Sequence, residues 1–144
     1  MIQRIQSLYL LSAFLISGIL SFFVLLWVNY KGLQYYLMDL INEDSWEFIS
    51  VPIGFILSSI LSLIAIIKFN DRKLQVKLNR LNLVTNLYLL GIFVYLLLSL
   101  SGENFISVKG IGLFLPVIVI VLLVMANKAI QKDEELVKSV DRLR

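Results

Sequence analysis

Four uncharged hydrophobic blocks constrain this chain more than any other feature. They run roughly from Leu8 to Val28, Val51 to Ile67, Leu83 to Leu98 and Ile111 to Ala126, and none contains Asp, Glu, Lys or Arg. With a few flanking residues each reaches the length that crosses the hydrocarbon of a bilayer. In lipid every backbone N–H and C=O must bond within the protein, so a spanning segment is either a helix or a strand of a closed barrel. The blocks are continuous rather than alternating, which excludes barrel strands. A hydrophobic content of 59 %, only 16 % charged residues and a mean hydropathy of +0.88 place all 144 residues in the membrane class. The expected fold is an all-α membrane protein. Four transmembrane helices, at about 7–29, 51–68, 72–100 and 111–142, form two αα-hairpins of one bundle, and the last helix carries a helical extension beyond the membrane.

The first block is too long for the apolar core of a secretory signal, which is about 7–15 residues, and Trp27-Val28-Asn29-Tyr30-Lys31 offers no small-residue cleavage site. It reads as a retained first helix. Charge then orients the bundle. All Lys and Arg except Lys31 and Lys109 fall in the N-terminal segment, the loop between the second and third blocks, or the C-terminal tail. Asp39, Glu43, Asp44, Glu47 and Glu103 occupy the other loops. By the positive-inside bias both termini are expected on the cytoplasmic side. Arg4, Arg72, Lys73, Lys77, Arg80, Lys138 and Arg142, with Glu134, would form a cytoplasmic surface facing anionic head groups. Each cation near such a surface contributes roughly 1 kcal/mol of attraction.

The tail from Asn127 to Arg144 has no Gly or Pro and should continue the fourth helix. Glu134 and Lys138 stand as an i,i+4 pair, and Leu136, Val140 and Leu143 make a short apolar stripe that needs a cover. The expected covers are the chain's own basic loop helix, the membrane surface, or a protein partner. On the other side, Leu33, Leu37, Leu40 and Ile41 fit one face of a short interfacial helix, and Pro52 suits the first turn of the second helix. Leu8-Tyr9-Leu10-Leu11 and Leu87-Tyr88-Leu89-Leu90, together with Phe48-Ile49-Ser50-Val51 and Phe105-Ile106-Ser107-Val108, suggest a tandem repeat of hairpins, against chance in so apolar a chain.

Helices in lipid associate through small residues and interhelical hydrogen bonds. Ala13, Ser17 and Ser21 recur every four residues or so in the first block, and Gly54, Ser58 and Ser62 in the second, so these two faces are expected to meet. Asn82 and Asn86, with Asn79, share a side of the third helix and read as packing residues. Pro116 removes the partner of the Gly112 carbonyl, and a kink is expected there.

The chemistry available is narrow. No cysteine and no histidine occur, which excludes disulfides and thiolate chemistry and removes the commonest general base and soft-metal ligands. The blocks hold serines without a base and no carboxylate for proton-coupled exchange. Asp39, Glu43 and Asp44 form a weak cation option, whereas Asp133, Glu134 and Glu135 fan around a helix. The expectation is therefore a non-catalytic protein without cofactor, metal or nucleic-acid partner. It would act as a small subunit or assembly factor of a membrane complex, through a protein partner or a second copy of itself. The alternative is a small transporter, or a lipid- or small-molecule-binding protein, built on Asn82, Asn86 and the Pro116 kink.

Both ends carry a resemblance. Met1-Ile2-Gln3-Arg4-Ile5-Gln6-Ser7-Leu8-Tyr9-Leu10-Leu11, and Ala126-Asn127-Lys128-Ala129-Ile130 followed by Lys132-Asp133-Glu134-Glu135-Leu136-Val137-Lys138-Ser139 and Asp141-Arg142-Leu143-Arg144, resemble the ends of an uncharacterised family. It comprises small four-helix membrane proteins of Bacteroidetes bacteria, a domain of unknown function. The resemblance implies a bacterial inner membrane and no known activity. A reporter that works only in the cytoplasm, fused after Arg144, is expected to be active, and one that works only outside to be silent.

Overall fold

The structure is a computed structural model that describes residues 2–28, 33–42, 44–100 and 108–142. The side chains of Arg4, Val140 and Arg142, and all of Glu43, Glu103, Leu143 and Phe105-Ile106-Ser107, lie outside what is described, so the apolar tail stripe and the suggested repeat are only partly on view.

Four helices long and apolar enough to cross a membrane make up the described chain. The first, α1 (Ile2–Leu15), continues through a π-helical turn (Ile16–Leu20) and a last helical turn (Ser21–Phe23). α2 (Trp46–Ile67), α3 (Arg72–Leu100) and α4 (Leu115–Arg142) follow. Asp71 starts α3 abruptly, because its Oδ1 accepts the Leu74 N–H at 3.1 Å, satisfying one of the donors that every helix start leaves open.

The first helix ends at Phe23, not near residue 29. Val24 is extended (φ −92°, ψ 134°), and the chain enters β1 (Trp27–Val28). β2 (Gln34–Tyr35) and β3 (Val108–Lys109) pair antiparallel on its two sides, with Trp27 opposite both Tyr35 and Lys109. Helix α1 gives way because the backbone groups of Leu25 and Leu26 find partners here. Leu26 N–H bonds the Tyr35 carbonyl at 2.9 Å, and the Leu26 and Leu25 carbonyls accept the N–H groups of Gly110 and Gly112 at 2.8 and 3.0 Å. The sheet thus caps the end of the bundle opposite the basic segments.

This sheet also displaces the interfacial helix expected from Leu33, Leu37, Leu40 and Ile41. The Asp39 carboxylate accepts the Tyr36 N–H at 2.8 Å and turns the chain into a 3-10 helix, Asp39–Asn42. Leu37 and Leu40 are fully buried, whereas Leu33 and Ile41 are exposed. Helix α2 starts at Trp46, six residues before Pro52, which therefore sits buried inside the helix rather than opening it. Pro116 corrects the other way. A 3-10 helix (Ile111–Phe114) precedes α4, the Leu115 N–H bonds the Gly112 carbonyl, and Pro116 falls in the first turn of α4, where no N–H is needed. The sharp turn replaces the expected kink.

The core divides along the bundle axis. Toward the sheet it is large and aromatic, with Trp27, Leu37, Phe55, Leu89, Phe93 and Leu115 among its members. Trp27 stacks on Tyr35 with centroids 5.7 Å apart. Toward the basic end the core narrows to Leu10, Ala13, Ala65, Val119, Leu123 and Ala126, and small side chains let α1, α2 and α4 approach closely.

The two small-residue faces do not meet as expected. A Cβ at Gly54 would press on Leu89 of α3, 2.6 Å from its Cδ2, so the Gly54, Ser58 and Ser62 face belongs to α3. Helices α1 and α2 instead approach where Gly18 faces Ser59. On α1, Ser17 and Ser21 are buried and donate back to the carbonyls of Ala13 and Ser17 at 2.7 and 2.6 Å.

Gly110 shows how tightly the sheet end closes, since a Cβ there would collide with the Leu25 carbonyl and lie 2.6 Å from the Leu26 oxygen. Gly110→Ala is expected to destabilise the protein by about 1–3 kcal/mol in thermal unfolding, the usual effect of overpacking. Gly91→Ala, in open space, should leave stability unchanged or slightly raised.

Candidate functional site

The buried positions of α3 are Gln75, Asn79, Asn82, Asn86, Leu89, Phe93 and Leu96. They recur by alternate steps of four and three residues, the spacing of a seam held against neighbouring helices. The sheet half of this seam is apolar. The basic half is a column of four amides, each at most 2 % exposed.

Each amide ties α3 to a neighbour. Asn82 Nδ2 donates to the Ser58 carbonyl at 3.1 Å and to Ser62 Oγ at 2.8 Å. Asn86 Nδ2 donates to Ser58 Oγ at 2.8 Å and is shared with the carbonyl and side-chain oxygens of Asn82 at 2.9 and 3.0 Å. Asn79 Nδ2 reaches Asn127 Oδ1 on α4 at 3.1 Å. Gln75 Nε2 bonds the Ala65 carbonyl at 3.1 Å, which lies in the last turn of α2, where carbonyls lack helical partners. Gln6 adds a tie from α1 by donating to the Ala129 carbonyl of α4 at 3.1 Å.

The accepting side of the column is less complete. Gln75 Oε1, Asn79 Oδ1 and Asn86 Oδ1 are buried with no hydrogen-bond partner among the described residues. A buried acceptor left unpaired costs about 1–3 kcal/mol, so the seam carries a local energetic cost at these three oxygens.

At the mouth of the column the Arg72 guanidinium forms an ion pair with Asp133 of α4 at 2.9 Å. Next to it a cleft of about 540 Å³ opens between α1 and the start of α3, lined by Gln6, Ser7, Leu8, Leu11, Phe69, Arg72 and Gln75. Farther out, Lys138 bonds Glu134 at 2.7 Å. The hydrogen bond and charge of Lys138 hold the Glu134 carboxyl below the ordinary carboxylate range.

Of the residues singled out from sequence, Ser58, Ser62, Asn82 and Asn86 come together in one α2–α3 contact. Ala13, Ser17 and Ser21 line the buried side of α1, and Gly112 and Pro116 belong to the sheet end, remote from the amides. Among the basic-end residues Arg72 joins the cleft, while Lys73, Lys77 and Arg80 lie along the first turns of α3, with Lys73 and Arg72 adding to the field that lowers Glu134. Sequence reasoning missed Gln75, Gln6 and Asn127. Gln75 precedes Asn79 by one helical turn, so the amide spacing carried the signal. The partners of Gln6 and Asn127 are distant in sequence and left none. Among the described residues, no three His, Cys, Asp or Glu side chains gather closely enough to hold a metal.

These features define a class: a four-helix bundle of membrane-crossing length, held by an amide seam at one end and a small sheet at the other. The chain belongs to the family described as a domain of unknown function (DUF4293), whose sequence profile matches residues 2–143. Neither comparison with curated proteins nor comparison with solved structures yields a match.

Interhelical side-chain bonds in membrane proteins average about 0.6 kcal/mol and reach about 1.7. A double-mutant cycle of Ser58→Ala and Asn86→Leu, read by unfolding in detergent, is expected to give a coupling in that range. The same cycle between Asn86 and the half-buried Thr85, whose hydroxyl bonds the Leu81 carbonyl of its own helix, should give none.

Proposed function

We propose that this protein is a non-catalytic component of the bacterial inner membrane, with both termini in the cytoplasm, acting as a small subunit or assembly factor of a membrane complex. The concentration of Lys and Arg at the end of the bundle that holds both termini supports that orientation. The amide nitrogens of the seam are engaged in tying helices together, which supports a structural rather than catalytic use of its polar residues.

One observation carries the interaction reading. Beyond the Arg72–Asp133 tether, α4 projects with Leu136 and Val137 exposed, 45 % and 46 % accessible, on a strongly charged helix. Of the tail stripe only Leu136 falls among the residues whose side chains are described, and Val137 beside it borders a cleft shared with Asn70, Asp71, Arg72 and Lys73 at the α2–α3 turn. Apolar residues held out on a helix beyond the bilayer suit a groove on another protein, read at one face of the helix.

A second reading, passage of a small polar solute, draws on the unpartnered Asn86 Oδ1 within the span. It loses the half-helix end that a kink at Pro116 would have supplied. Uptake or efflux that survives Asn86→Leu in folded protein would remove it.

Leu136→Asp combined with Val137→Asp is expected to release a partner that is crosslinked to the native chain in membranes and identified by mass spectrometry. Thermal unfolding should shift little, because exposed substitutions usually change stability by less than about 0.5 kcal/mol. A chain that purifies in mild detergent as a monomer, with no crosslinked partner in cells, would contradict the subunit reading.

A further inference from the structure

The cleft beside Arg72 combines three unmet requirements. The first is an acceptor in need of a donor. Gln75 is 2 % exposed and lines the cleft, and its Oε1 has no partner among the described residues. Its orientation follows from chemistry, because the Ala65 carbonyl accepts only, so the amide nitrogen must face it and the oxygen is left over. The second is a cation with spare donors. Arg72 pairs with Asp133 through one guanidinium nitrogen, and the other N–H groups of its fork have no partner among the described residues. The third is hydrocarbon. Leu8, Leu11 and Phe69 flank the cleft while 60 %, 45 % and 54 % exposed.

The order of these groups along the bundle identifies the ligand class. Arg72 opens α3 and Phe69 lies in the turn before it, at the end of the bundle. Leu11 lies about 7.5 Å along α1 from Gln6, at 1.5 Å per residue, toward the middle of the span. Charge therefore sits at the end, the amide oxygen beside it, and the apolar flank deeper, which is the order of phosphate, headgroup and acyl chain in a phospholipid at a bilayer surface. Basic pockets between membrane helices bind lipid head groups on this principle, and the cleft volume falls within the usual range of ligand sites.

We propose that this cleft binds one phospholipid whose headgroup carries a hydrogen-bond donor beyond its phosphate, as the ammonium of phosphatidylethanolamine or the hydroxyls of phosphatidylglycerol do. The phosphate takes the free N–H groups of Arg72, the headgroup donor bonds Gln75 Oε1, and the upper acyl methylenes cover Leu8, Leu11 and Phe69. The site is independent of the partner reading, since capture through Leu136 and Val137 can fail while lipid retention stands.

The test is native mass spectrometry of the full chain in mild detergent, titrated with phosphatidylethanolamine, phosphatidylglycerol and phosphatidylcholine of identical acyl chains. Phosphatidylcholine has the phosphate but no donor, so the first two lipids should be retained about tenfold better, the factor that corresponds to one satisfied buried acceptor. Gln75→Leu is expected to bring phosphatidylethanolamine and phosphatidylglycerol down to the retention of phosphatidylcholine in the same variant. Arg72→Gln should weaken all three about tenfold. Leu11→Trp fills the cleft from an exposed position and should block all three without disturbing the core, so it decides the matter even if Arg72→Gln fails to fold. Water-soluble glycerophosphoethanolamine in excess should not displace the lipid, and displacement would reassign the cleft to a free phosphate ester. Equal retention of the three lipids by the native chain, or retention unchanged in Leu11→Trp, overturns the proposal.

Discussion

The bundle depends on one constraint, that an amide buried among membrane helices must find its hydrogen-bond partner on another helix. Lipid offers no competing water, and between helices it offers no hydrophobic gain either, since tails are as apolar as Leu. Packing and polar pairing are what remain. Asn82 and Asn86 meet Ser58 and Ser62, Asn79 meets Asn127, and Gln75 and Gln6 reach carbonyls of α2 and α4. These bonds have direction, so they set the rotation of each helix and the register between neighbours. The Gly54–Leu89 and Gly18–Ser59 approaches then become available to close packing.

The two ends of the bundle solve different problems. At the sheet end the chain leaves the helix at Val24, and the freed backbone groups are satisfied by one strand close in sequence and one far from it, with Gly110 and Gly112 pressed against Leu25 and Leu26. That end is closed by aromatic packing around Trp27. At the basic end closure is looser. Small side chains and amides leave acceptors without donors, the Arg72–Asp133 pair bridges α3 to α4, and a cleft stays open beside it. Capacity for recognition therefore collects at the end where charge collects, in the cleft and on the projecting tail.

Sequence legibility was uneven for physical reasons. Asn82 and Asn86 could be read as packing residues because an amide in an apolar block has few other uses, and their spacing put them on one face. Pro116 misled, because a proline's effect depends on whether the helix has already begun. With α4 starting at Leu115 the missing N–H has no consequence, and the 3-10 helix before it serves the Gly112 carbonyl. The Leu33–Ile41 pattern misled in the same way. Helical periodicity was present, but the Asp39 side chain captured the Tyr36 N–H and the sheet captured Tyr35.

By itself the sequence determined that this chain forms four apolar helices of membrane-crossing length, and which end carries the positive charge. Those follow from transfer energies and backbone satisfaction, which act on each segment alone. Tertiary structure decided which face of each helix is inside, that the Gly54–Ser62 face turns to α3 rather than α1, and that a sheet closes one end. In lipid the inner and outer faces of a helix are both apolar, so hydrophobic periodicity does not distinguish them. The β1–β3 pairing and the interhelical amide bonds join residues far apart in the chain, and no local pattern encodes those partners.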